Sequence, residues 1–192
     1  KPEFTPVTTS SKIQLIKNNQ VDAVAASMTI TPERAKIVDF SNPYFPAGQS
    51  ILVKKNSGIK NIQQLNNPKS TIIGVMGTMA METTKKFAPK AKLIAMPDNS
   101  QAFSALQSGQ GDAMTTDNAI LYGFCQQSKD VAVIGGTFTN QPYGLAMDKG
   151  QTDLQKAVNR ALKEIRADGT YDRLIKKWFG NIPGLDWREL TK

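Results

Sequence analysis

The feature that constrains this chain most is a sentence it writes twice. Residues 20–29 read QVDAVAASMT and residues 110–119 read QGDAMTTDNA, so that Gln20, Asp22 and Ala23 recur as Gln110, Asp112 and Ala113 at one fixed spacing. An apolar-periodic helix precedes each copy, KIQLIKNN with Ile13 and Ile16, then QAFSALQSG with Phe103 and Leu106. A polar turn comes next, then a short strand, VDAVAAS or GDAMTTD. A duplicated helix-turn-strand unit predicts an α/β fold with two lobes of similar build.

TIIGVMG (71–77) reads as a strand, AMETTKKFA as a helix and KLIAMP as the next strand. Two Pro- and aromatic-rich segments, FSNPYFPAG and TNQPYG, read as crossings between lobes, which inserts one lobe into the other. The expected division is 1–43 with 145–192 as lobe one and 49–140 as lobe two, with hinge crossings at 44–48 and 141–144. Two helices close the chain: DLQKAVNRALKEIRA, with Leu154, Ala157, Val158, Ala161 and Ile165 on one face, ends at Asp168-Gly169, and TYDRLIKKWF ends at Gly180.

Composition narrows the chemistry. The chain has 192 residues, no histidine and one cysteine, Cys125. Ser-His-Asp and Cys-His nucleophile pairs are therefore impossible, and a zinc site is not expected. No metal or cofactor is expected. The net charge of +8 comes from 19 Lys and 5 Arg interleaved with acids, without a basic block, so nucleic acid is not the expected partner. No apolar run reaches the roughly 18 residues that span a membrane.

In open α/β sheets ligands bind beyond the carboxyl ends of the strands, which singles out Ser27 and Asp117, the matching last residues of the two copied strands. After the first strand, Thr31-Pro32-Glu33 is a helix start with Thr as N-cap and Pro at N1. Arg34 then lies in the first turn beside Ser27 and Thr29. A guanidinium fork next to hydroxyls and amides suits a carboxylate, although an ion pair with Glu33 or Asp39 would place Arg34 equally well. Gly77-Thr78 before a helix is a second anion-friendly turn. Asp117 suits an ammonium, or alternatively caps the helix from Asn118. Arginine with amides for a carboxylate and an acid for an ammonium together describe an α-amino-acid site.

VDAVAASMTITPERAKIVDFSNPYF resembles the signature of the family 3 extracellular solute-binding proteins, the polar amino-acid receptors of ABC importers; GVMGTMA, SGQGDAMTTDNAILYG, QPYGLAM and DGTYDRLIKKWFG resemble its later segments in order. The resemblance implies a two-lobed, type II periplasmic-binding-protein-like α/β fold and an extracytoplasmic, periplasmic or cell-surface location. It implies a ligand site in the inter-lobe cleft. There Ser27, Thr29 and Arg34, with Met28 between them, would bind the α-carboxylate, helped by the Gly77-Thr78-Met79 backbone. Asp117 would take the α-ammonium.

Lys12 matches a position whose basic residue reaches the ligand side chain in the acidic-amino-acid branch, unless it is simply solvated; aspartate or glutamate would then be favoured, with glutamine next. The implied partners are an amino acid and a membrane ABC permease. Family members begin with a strand and helix ahead of KPEFTPV, so lobe one is expected to lack its first βα unit. That leaves open a complementary N-terminal segment, or a homo-oligomer serving as an interaction module. An enzyme on the same scaffold would have Asp117, Glu82 and Lys12 as its candidate acids and bases.

Overall fold

The computed structural model describes residues 1–191 and divides into two compact units. Unit one comprises Lys1–Pro46, Gln141–Gly180 and the chain from Asp186; unit two comprises Ala47–Asn140 with Asn181–Leu185. Unit two thus interrupts unit one along the chain, and Asn181–Leu185, around the buried Ile182, departs from the expected assignment of all of 145–192 to lobe one.

Unit one contains α1 (Lys12–Lys17), β1 (Ala23–Val24), α2 (Pro32–Ala35), β2 (Val38–Phe40), β8 (Ala146–Asp148), α6 (Thr152–Ala167) and α7 (Thr170–Phe179). Its sheet runs β1-β8-β2, with β8 antiparallel to both neighbours. Ile16 of α1 packs with Val24, Val38, Ala146 and Met28 to form its core. Helix α6 is amphipathic as expected, yet none of its residues is buried. It is tied to the end of β2 by polar contacts instead: Gln155 Nε2 donates to the Phe40 carbonyl at 2.6 Å, and the Asn42 N–H donates to Asn159 Oδ1 at 2.7 Å. Gly169, in the left-handed region at φ 74°, separates α6 from α7 as its position after Asp168 predicts.

Unit two contains β3 (Gln49–Lys54), β4 (Thr71–Val75), α3 (Met79–Phe87), β5 (Lys92–Met96), α4 (Asn99–Gln107), β6 (Ala113–Asp117), α5 (Asn118–Gln127) and β7 (Val131–Ile134). The sheet order is β5-β4-β6-β3-β7, parallel between β4 and both its neighbours, antiparallel where β3 meets β6 and β7. Successive side chains enter opposite cores. Leu52, Ile73, Val75 and Met114 face α4 and α5, while Ile51, Val53, Ile72 and Ala113 meet Ile62, Leu65 and Ala88 on the other side. A strand covered on both faces has no reason to alternate polar with apolar, and QSILVK does not.

The duplicated sentence is a duplicated structure. After α1 the Asn19 N–H donates to the Ile16 carbonyl at 3.0 Å and the Gln20 N–H to Leu15 at 2.9 Å; after α4 the Gly109 N–H donates to Leu106 at 3.1 Å and the Gln110 N–H to Ala105 at 2.9 Å. Both are Schellman closures with the turning residue in the left-handed region, Asn19 at φ 54° and Gly109 at φ 79°. Gly and Asn are the residues that tolerate that region best, which is why the two copies differ there without differing in shape. Among the described residues no helix is long and apolar enough to cross a membrane.

Candidate functional site

In unit one the copied strand is short, and the segment after it carries the chemistry. Residues 28–30 pair with 142–144: the Gly144 N–H donates to the Met28 carbonyl and the Ile30 N–H to the Pro142 carbonyl, both at 3.0 Å, and Thr29 bridges to Tyr143. A Cβ on Gly144 would sit 2.9 Å from the Ile30 side chain, so this approach depends on glycine. Thr29 is buried, and the Met28 side chain turns into the core with Ile16 and Val24. Met28 is expected among the ligand-binding residues; at 2% exposure its side chain is core, which leaves its backbone to take any such part.

Ser27 lies at φ 50°, in the left-handed region where a non-glycine residue is strained by about 1 kcal/mol or more. Its surroundings hold it there. Lys12 Nζ donates to the Ser27 carbonyl at 3.5 Å, and the Ser27 N–H bonds the Tyr44 hydroxyl. Burial pushes the Tyr44 hydroxyl above the usual tyrosine range, with that N–H pulling the other way. Ser27→Gly should therefore change stability by less than about 0.5 kcal/mol, whereas Ser27→Val should cost about 2 kcal/mol, because a β-branched residue is excluded from this region. Urea denaturation midpoints check the contrast; equal costs would contradict the left-handed assignment.

The helix start at Thr31 is as expected. The Thr31 hydroxyl accepts from the Arg34 N–H at 3.2 Å and Pro32 occupies N1 of α2. Arg34 Nη1 donates to the Thr29 carbonyl at 3.0 Å, which fixes the guanidinium beside the 27–29 segment. The competing arrangement, Arg34 with Asp39, is not what the fold builds. The Asp39 carboxylate accepts from Lys149 Nζ at 2.7 Å and the Gly150 N–H at 2.9 Å, and that lysine, then that amide, hold it below the usual carboxylate range. Lys12, Ser27, Thr29 and Arg34 therefore come together in unit one.

In unit two the parallel strands β4 and β6 are neighbours, so the turns leaving their carboxyl ends share one sheet edge. Gly77, at φ 72°, and Thr78 lead from β4 into α3, which starts at Met79. The Thr78 hydroxyl donates to the Val75 carbonyl at 2.7 Å instead of capping α3. Glu82 lies in the first turn of α3 and is exposed.

Asp117 closes β6 and stands at the N-cap position of α5, but its side chain makes no cap bond. The turn is tied by its neighbour. Asn118 is 2% exposed, its N–H donates to the Gly48 carbonyl at 2.9 Å, and its Oδ1 accepts from the Ala119 N–H at 2.9 Å. The Asp117 carboxylate instead accepts from Gln49 Nε2, across the β3–β6 pair.

Two residues of these groupings were not read as site residues from the sequence, Tyr44, which was assigned to a hinge crossing, and Gln49. Tyr44 had a signal, an aromatic inside FSNPYFPAG. Gln49 had only its place two residues before an apolar run, and its partner lies on another strand.

The model of the bacterial extracellular solute-binding proteins, family 3, matches residues 1–181. The ABC transporter glutamine-binding protein GlnH of Bacillus subtilis (strain 168) is 45% identical over 183 residues, 95% of this chain and 67% of its own length. The glutamine-binding protein of Geobacillus stearothermophilus is 41% identical over 158 residues, 82% of this chain and 60% of its own. A solved structure, an ancestral arginine-binding protein bound to glutamine, superposes with a TM-score of 0.81 at 40% identity, covering 93% of this chain and 80% of that one. The chain thus spans about two thirds or less of these two curated relatives. The architecture is the α/β type II fold of periplasmic amino-acid-binding proteins.

Proposed function

Because the chain belongs to the bacterial extracellular solute-binding proteins of family 3, we propose that it is the amino-acid-binding component of an ABC importer, taking a polar L-amino acid with an amide or acidic side chain. The observation that carries this reading is a pair of anchors of opposite charge, each held by a neighbouring polar group: Arg34 on the Thr29 carbonyl, Asp117 on the Gln49 amide. A zwitterion is the small molecule that answers both, its carboxylate meeting the guanidinium and its ammonium the carboxylate. Ser27, Thr29 and the Gly77-Thr78-Met79 turn supply hydroxyls and amides for the carboxylate. Lys12, whose ammonium reaches the Ser27 carbonyl, supplies a donor for a side-chain amide or carboxylate oxygen.

Two of the relatives are named glutamine-binding, which supports glutamine as the first ligand to try, with glutamate and aspartate beside it. The family is extracellular, and delivery to a membrane permease outside the cytoplasm is part of the proposal. The role is binding without turnover: Asp117 and Lys12 have binding roles, and Glu82 sits on α3.

The test is calorimetry and thermal shift with each of the twenty amino acids. A binder present at 100 times its Kd stabilises the chain by about 2.7 kcal/mol, a shift of several degrees. Glutamine, glutamate or aspartate should give it and leucine should not; no heat and no shift with any of the twenty would refute the reading.

A further inference from the structure

We infer that residues 1–7 and the outer edge of β1 form a self-association surface, through which two copies of this chain exchange their first strands. The duplication shows why both are strand material. At the spacing of the duplicated sentence, residues 2–6 fall on Lys92–Met96, which is β5, and Phe4 falls on Ile94. Ile94 packs against the unit-two core, whereas Phe4 is 90% exposed. The copied strand tells the same story. β6 runs over Ala113–Asp117 between β4 and β3, while its counterpart β1 is limited to Ala23–Val24, ends its sheet and pairs with β8 alone among the described residues. Each of these stretches of unit one thus lacks a neighbour that its copy has.

Residues 1–7 are an arm. Among the described residues they make no hydrogen bond, and all but Val7 are exposed. The arm leaves the unit at a closed turn, where the Thr8 N–H donates to Ser11 Oγ at 2.9 Å and the Ser11 N–H to the Thr8 carbonyl at 3.2 Å. Fully extended, seven residues reach about 23 Å, enough to cross to a neighbouring molecule.

The sequence KPEFTPV fixes which side of the arm can pair. In an extended strand alternate amides point to opposite edges. Pro2 and Pro6 carry no N–H, so the edge they share with Phe4 has a single donor, while the other edge has the N–H groups of Glu3, Thr5 and Val7. One side is competent and the other is blocked against a further strand. A second copy is the occupant that answers both needs. In a two-fold pair each arm lies along the β1 edge of its partner, so both edges are covered at once, and the second exchange follows the first as an intramolecular step.

The experiment measures mass by light scattering and sedimentation from about 1 to 100 μM chain, for wild type and Thr5→Pro. Wild type moves with concentration from the 21.0 kDa of one chain to twice that mass. Thr5→Pro removes the central donor of the competent edge and raises the dimer Kd about tenfold or more. Its melting temperature at the dilute end matches wild type, because the arm lies outside the packed unit. A single-chain mass throughout the range overturns the inference, as does a dimer indifferent to Thr5→Pro. A mass that climbs past two copies overturns the reciprocal exchange.

Hydrogen exchange resolved by residue separates strand exchange from mere stickiness of the exposed Phe4. In the dimer the amides of Glu3, Thr5 and Val7 gain about 100-fold protection, and that of Phe4 gains little. Protection of all four alike, or of none, overturns the inference. The alternating pattern in a chain of single mass would place the arm on its own β1 and overturn the choice of a second copy.

Discussion

Replacing Arg34 by alanine is expected to weaken amino-acid binding by about 10²–10³-fold and to leave the fold intact. Charge-assisted hydrogen bonds are worth roughly 1.5–3 kcal/mol each, and a guanidinium can present two in parallel to one carboxylate, so their loss amounts to about 3–6 kcal/mol before the site readjusts. At about 1.4 kcal/mol per tenfold, the lower half of that range already gives the stated change in Kd. The fold should tolerate it. Arg34 belongs to a four-residue helix without a buried residue, and the Thr31 cap bonds its backbone N–H, which alanine retains. Arg34→Lys should recover only part of the affinity, because an ammonium cannot reproduce the fork or the Thr29 contact together with it. The measurements are calorimetric Kd and melting temperature on all three chains. Affinity unchanged in the alanine variant would remove Arg34 from the site. The carboxylate is the group concerned, so once Arg34 is alanine, an amide in place of the ligand's α-carboxylate should cost little more.

What the sequence disclosed about this molecule, and what it withheld, divides along the range of the interaction. The helices, their stops at Asn19, Gly109 and Gly169, and the Thr31-Pro32 start depend on neighbours within a turn, and the residue types that satisfy them are few. The strands of the unit-two sheet depend on partners far along the chain. TIIGVMG and KLIAMP were legible as apolar runs beside turns. QSILVK and VAVI were not distinguished, because burial on both faces erases the alternation that marks a half-exposed strand.

The candidate site divides the same way. Ser27, Arg34 and Asp117 stood out from their places relative to a repeat and a helix start. The burial of Met28 and the strain at Ser27 arise from packing against segments far along the chain, 142–144 among them. The contact between Gln49 and Asp117 needs the register of β3 on β6, which no local pattern contains. Asp117 itself was open to two readings, helix cap or ligand anchor; its side chain makes no cap bond, and Asn118 ties the turn.

Asp117→Asn is accordingly the sharper of the two charge deletions, since it preserves the volume, the strand and the start of α5. An asparagine carbonyl still accepts from Gln49 Nε2, so the local hydrogen bond survives and only the charge is lost. Two opposite charges about 4 Å apart attract by about 4 kcal/mol at an effective dielectric constant of 20, and part of that is offset by the cost of stripping water from both. Removing one charge leaves the ligand ammonium partly dehydrated without a counter-charge, and the expected loss is about 100-fold in Kd for every amino acid that binds.

Selectivity is what identifies the cause. The des-amino analogue of the same ligand should bind wild type and Asp117→Asn equally, and the ratio of Kd values for amino acid and analogue should collapse toward one in the variant. Melting temperatures without ligand should agree to within a few degrees, because the residue is a half-buried strand end and not part of either core cluster. If amino acid and analogue lose affinity alike, Asp117 shapes the edge of the sheet without meeting the ammonium. If the amino acid alone suffers, the carboxylate is its anchor.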